Sequence, residues 1–137
     1  MKKGASERPN LLSGQSALKE NIQDGLILFN FKFLDANQGQ SFEEWEEEKL
    51  LSKTFELFRN YSSQKMASAF DDRFKCYKNF PPAEKTEYTH PRHVPEDAVW
   101  SSMHLMGKEC VIGHIYRNVF YVVFLDKDHR FYITELK

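Results

Sequence analysis

The stretch Asn118–Tyr132, NVFYVVFLDKDHRFY, decides the fold. Val119–Leu125 is built from β-branched and aromatic residues, the composition of a buried strand, and the four residues Asp126–His129 read as a turn into a second run, Arg130–Thr134. Immediately upstream, Cys110–Tyr116 reads as another strand, joined to the first through Arg117 and Asn118. Ser101–Met106 supplies a fourth, with Gly107–Glu109 as the break. The C-terminal part of the chain is therefore expected to form an antiparallel meander.

A two-residue turn at Arg117 and Asn118 pairs Tyr116 with Val119, His114 with Tyr121 and Ile112 with Val123. A four-residue turn pairs Leu125 with Arg130, and a three-residue first turn sets His104 opposite Ile112. Because side chains alternate across a sheet, this register predicts two unlike faces. One carries Met103, Leu105, Val111, Ile115, Phe120, Val122, Phe124, Phe131 and Ile133, without a polar group, and must be covered. The other presents His104, His114, Tyr116, Tyr121, Arg130 and Tyr132 over aliphatic residues. Such a face can stack planar rings and hold an anion, as a base or phosphodiester requires, or it can be a wet sheet face showing polar tips to water.

The cover comes from upstream. SFEEWEEEKLLSKTFELFRNYSS, residues 41–63, has the apolar stripe of a helix and a capping box in which Ser41 and Glu44 satisfy each other's backbone. Its glutamate run is either an acidic docking site or a solvated face. Residues 63–77 place Met66, Ala69, Phe70, Phe74 and Tyr77 at helical spacing, predicting a second helix packed on the first as a hairpin. Before them, Ile27, Phe29, Phe31 and Phe33 alternate with Asn30 and Lys32 in an N-terminal strand. The fold class is α+β: an antiparallel sheet, formed by the N-terminal strand plus the C-terminal meander, covered on one face by a two-helix hairpin. Residues 1–24 are too polar to repay ordering and read as an arm, with 25–137 as one domain. Residues 83–99 form a long polar loop, a common place for function.

Composition bounds the chemistry. The chain has 137 residues, 41% of them apolar and 15% aromatic, enough for a core with rings left over for a surface. A net charge of −1 argues against a globally basic nucleic-acid binder. Cys76 and Cys110 match no metal motif and read as buried thiols in a reducing compartment. No apolar run approaches the ~20 residues needed to span a bilayer, so a cytoplasmic protein without a membrane partner is expected.

All five histidines, 90, 93, 104, 114 and 129, lie in the last 48 residues of the chain. His90 and His93 have H-x-x-H spacing, but Pro91 denies the helix that would align them, so neither a metal nor another cofactor is expected. Cleavage of RNA needs a base for the 2′-hydroxyl, an acid for the leaving oxygen and a cation for the developing charge. His104, His114, Tyr132 and Arg130 are the candidates for those roles, with Tyr121, Arg117, Lys108 and His129 as substrate contacts. A structural face, or one that contacts a protein partner, accounts for the same residues without catalysis.

The order strand, helix, helix, meander, together with GKECVIGHIYRNVFYVVFLDKDHRFY at residues 107–132, resembles the RelE/ParE-like toxin superfamily. The resemblance implies a toxin that cleaves translated mRNA or acts on another essential target, with an antitoxin protein as partner. It would set Arg130 and Tyr132 at the positions of the C-terminal basic and aromatic groups of the RNA-cleaving members. The alternative is a non-catalytic module that grips a protein through the same face or through the acidic first helix.

Overall fold

The structure is a computed structural model that describes residues 25–133; the expected N-terminal arm lies outside the described residues. Five strands, β1 (Leu28–Asn30), β2 (Phe74–Lys78), β3 (Trp100–His104), β4 (Cys110–Tyr116) and β5 (Val119–Asp126), form one sheet with two helices, α1 (Phe42–Glu47) and α2 (Leu51–Ser62). The spatial order is β1-β5-β4-β3-β2. β1 runs parallel to β5 and every other pair is antiparallel, so the class is α+β with a mostly antiparallel sheet. Among the described residues no helix is long and apolar enough to cross a membrane.

The two helices are the halves of one expected helix. The capping box forms as read, with the Glu44 amide donating to Ser41 Oγ at 3.1 Å and the Ser41 amide donating to Glu44 Oε1 at 2.8 Å. After one and a half turns α1 stops: the Leu50 amide donates to the Trp45 carbonyl at 2.8 Å and the Lys49 amide to the Glu46 carbonyl at 3.0 Å. These are the two bonds of a Schellman motif, sealed by contact between buried Trp45 and Leu50. The stop is silent in the sequence because its left-handed position, usually glycine, is held by Lys49 at φ 62°.

Residues 63–77 form no helix. A single 3₁₀ turn at Met66–Ser68 is followed by Asp71, whose Oδ1 accepts from the amides of Arg73 at 2.8 Å and Phe74 at 3.0 Å. Local capture of the backbone by an aspartate competes with helix and wins here. The chain then extends as β2 and pairs with β3, completing the far edge of the sheet. Phe74, the residue shared by the helical and the alternating pattern, is wholly buried in either reading.

Two departures in register redraw the faces. Tyr116 pairs with Val119 and His114 with Tyr121 as expected, but Gly113 then pairs with Val122 and Ile112 with Phe124, leaving Val123 as the extra residue of a bulge. Beyond it the alternation inverts: Leu125 joins the helix side and Phe124 the opposite one. The β3–β4 turn is also longer than three residues, pairing Ser102 with Ile112 and His104 with Cys110.

The expected strand at residues 130–134 is absent over its described part. The Asp126 carboxylate accepts from the amides of Arg130 at 2.9 Å and Phe131 at 2.8 Å, curling the chain back over the sheet. Phe131 therefore packs on the face away from the helices, correcting its assignment to the helix side. The N-terminal strand is likewise cut short: Asn30 Oδ1 takes the Lys32 amide at 2.8 Å, Phe31 is left at the surface, and Phe33 joins the opposite cluster.

The helix side holds Trp45, Leu50, Phe58 and Tyr61 against Met103, Val111, Ile115, Phe120 and Val122. The face expected to be open is instead a second dry cluster, in which Tyr88, Val94, Ala98 and Phe131 cover Trp100, Ile112, Val123 and Phe124. The 83–99 loop is thus a lid over half the sheet. Trp100 and Phe124 stack at 5.8 Å between ring centroids and 8° between planes, and neither ring is exposed. Of the thiols expected to be buried, Cys110 is and Cys76 is not.

Candidate functional site

With its central face covered, the residues expected on one surface separate into two groups at opposite ends of the β4–β5 ladder. His114 pairs with Trp100 and His104 with Cys110, four residues apart on both strands. At ~3.3 Å per residue the two imidazoles are about 13 Å apart along the sheet, so they cannot divide acid and base roles on one phosphodiester.

The first group surrounds the Arg117–Asn118 turn. His114 and Tyr121 line a cleft of about 440 Å³ together with Lys32, Phe33, Asp97, Val99 and Tyr116. The His114 and Tyr121 rings stack at 5.8 Å and 21°, with the Phe33 centroid 5.0 Å from Tyr121. Lys32 Nζ lies 4.9 Å from the Phe33 centroid, and the Arg117 guanidinium stands 4.8 Å from that of Tyr116. The Val99 amide donates to His114 Nδ1 at 3.0 Å, which places the neutral ring's proton on Nε2. In that form His114 is a hydrogen-bond donor rather than a base.

Burial holds the His114 pKa below the ordinary imidazole value; His90 pushes the same way, while Asp97 opposes. The unfolded chain consequently binds more protons than the folded one between the folded pKa and about 6.5. This contribution to stability is complete above about pH 6.5 and is lost as pH falls through the folded value. The urea midpoint is expected to drop between pH 7.5 and 5.5, with a shallower fall in His114→Gln; equal slopes for the two proteins would refute the assignment.

The second group lies at the other end. His104 Nε2 is 3.1 Å from His129 Nε2, and the ligand atoms of His104, Cys110 and His129 all lie within 4.8 Å of one another. Burial first, and then His129, holds the His104 pKa low. Arg130 is close by in the chain but its guanidinium is paired with Glu87, and Lys108 Nζ is 3.8 Å from Asp128. Tyr132 packs on Tyr77 at 4.8 Å, and the Tyr77 hydroxyl is 3.0 Å from Ser102 Oγ.

His90 and His93, the spacing weighed for a metal, face separate backbone carbonyls: His90 Nδ1 lies 2.9 Å from that of Pro91 and His93 Nε2 2.8 Å from that of Phe33. They border an open concavity of about 720 Å³. Lys32, Phe33 and Asp97 were missed as cleft residues because only the turn at Asn30 and the 83–99 lid bring them to His114. Cys110 matches no metal motif in the sequence, and the long β3–β4 turn is what pairs it with His104.

Comparison of the chain with protein-family models, with curated proteins and with solved structures finds no match. None of these comparisons bears on the toxin-superfamily resemblance.

Proposed function

We propose that this domain is a binding module for a protein partner, and that it seats a basic amphipathic segment on the outer side of its helices. One observation carries the reading. Phe31, Phe42 and Phe55 are 38%, 43% and 58% exposed and, with Leu51, line a groove of about 270 Å³ made of apolar side chains only. Scattered surface apolar residues need no explanation, but three phenylalanines converging on one groove do. Glu43, Glu46 and Glu47 are exposed on the helix that carries Phe42, and Glu46, one turn along from Phe42, puts negative charge on the groove's side of that helix. Lys or Arg flanking an apolar stripe is the complement.

A second reading has its own support. His114 and Tyr121, expected from the sequence as site residues, meet at the aromatic cleft with Lys32 beside them and Arg117 over the neighbouring Tyr116, a setting in which a nucleobase could stack. In the toxin-like reading the cleft takes RNA and the groove takes the antitoxin.

Fluorescence anisotropy distinguishes the two. A labelled helical peptide with a Leu/Phe stripe and lysine flanks is expected to bind the full chain, and its glutamate-flanked counterpart to bind at least about tenfold more weakly. Phe42→Asp with Phe55→Asp, both at exposed positions, should weaken the lysine peptide at least about tenfold with unchanged circular dichroism. Equal binding of both peptides, or indifference to the Phe changes, refutes the docking groove. Saturable binding of a single-stranded RNA that Tyr121→Ala abolishes, without peptide binding, would transfer the function to the cleft.

A further inference from the structure

We propose that His104, Cys110 and His129 form a site for a borderline divalent cation, zinc above all, bound by two imidazole nitrogens and one thiolate with a fourth position open to water. Two strand ends and a turn create it. The long β3–β4 turn sets His104 opposite Cys110 across the ladder, and the Asp126–His129 turn folds His129 back over both. The two Nε2 atoms, 3.1 Å apart, are close to the ~3.3 Å that two nitrogens span on a tetrahedral ion with bonds of 2.0–2.1 Å. All three ligand atoms fall within 4.8 Å of each other, a spread that small side-chain rotations close.

The donor set selects the ion. Thiolate with imidazole suits zinc and its borderline neighbours and is poor for magnesium or calcium, which prefer oxygen. The Asp126 carboxylate beside the thiol is already engaged: it accepts from two backbone amides and from the Tyr88 hydroxyl at 3.2 Å. Its Oδ2 lies 3.8 Å from Cys110 Sγ, near enough for its charge to favour a cation there. Without a metal the thiol keeps its proton, since burial and Asp126 both oppose a thiolate. On binding, the S–H bond breaks, the sulfur electron pair goes to the ion and the proton leaves to solvent. Cys110 is buried while His104 and His129 are half-buried, so the fourth position faces outward.

His129 also makes the site testable. It stands at φ 61°, a conformation that glycine adopts without strain, so His129→Gly removes a ligand at a position where the fold should tolerate the change. Full-length protein freed of metal by a chelator would be titrated with Zn²⁺ by calorimetry and with Co²⁺ by absorbance. The expected results are one ion per chain, a thiolate-to-cobalt charge-transfer band, and a higher melting temperature with zinc. Cys110→Ala should abolish the band, and His129→Gly should weaken zinc at least about tenfold and cancel its effect on melting. His90→Ala with His93→Ala should change neither. Absence of saturable uptake, cobalt binding without the thiolate band, or zinc affinity unchanged in folded His129→Gly would each overturn the proposal.

Discussion

Gly113→Ala is expected to destabilise the fold by about 3 kcal/mol, seen as a lower urea midpoint with an unchanged slope. A Cβ on Gly113 would lie 2.5 Å from Phe120 Cζ and 2.6 Å from the Tyr121 carbonyl oxygen. Neither can move aside. The Phe120 ring is fully buried, 5.8 Å from the centroids of both Phe29 and Phe74, and the carbonyl belongs to the neighbouring strand. Gly113 also borders the bulge that turns Phe124 to the lid side and Leu125 to the helix side. Relief of the clash by shifting β4 against β5 would disturb both clusters together, so the cost should appear as global unfolding. A loss below about 1 kcal/mol would mean that the strands slide freely and that the bulge does not set the register.

Asp126→Asn should cost about 3 kcal/mol, although it changes one atom. The two carboxylate oxygens accept from two different amides, Oδ1 from Arg130 and Oδ2 from Phe131. Whichever way the asparagine amide is turned, its NH₂ meets a backbone N–H that has lost its acceptor. Asp126 is 1% exposed, so water cannot compensate, and hydrogen bonds to a buried charge are worth about 1.5–3 kcal/mol each. Tyr88 would lose charge assistance for its hydroxyl as well. Hydrogen exchange should show the loss first in the Arg130 and Phe131 amides, and a variant as stable as the parent would refute this account.

Much of the molecule is legible from local chemistry. The capping box at Ser41, the extents of β4 and β5 and the pairing of His114 with Tyr121 all depend on residues close in sequence: a cap and its partner three positions on, or a two-residue turn that sets its own register. The α+β class follows from the same signals. Errors cluster where one pattern serves two structures. Met66, Ala69, Phe70 and Phe74 fit a helical stripe, and only the Asp71 side chain, which draws the backbone into a turn, shows that Phe74 opens a strand.

The candidate sites were legible as residue types and illegible as places. His114 and Tyr121 do meet, with Arg117 over the adjacent Tyr116, and so do His104 and His129, but the one broad face that would unite them does not exist. Its central residues are covered by a lid whose sequence reads as polar loop. Tyr88, Val94 and Ala98, spread among prolines and charges, carry no periodicity that would announce a buried layer.

By itself the sequence determined the elements with local causes: the strand-rich C-terminal half, the capped helix and the Tyr116–Val119 hairpin. Only the tertiary structure decided which side of each strand is covered, where the Phe31–Phe42–Phe55 groove opens, and that Cys110 meets two histidines. The physical reason is range. Caps and tight turns are closed by hydrogen bonds spanning two to four residues, whereas burial on the second face depends on Phe131 and Tyr88 arriving from distant segments to complete the layer.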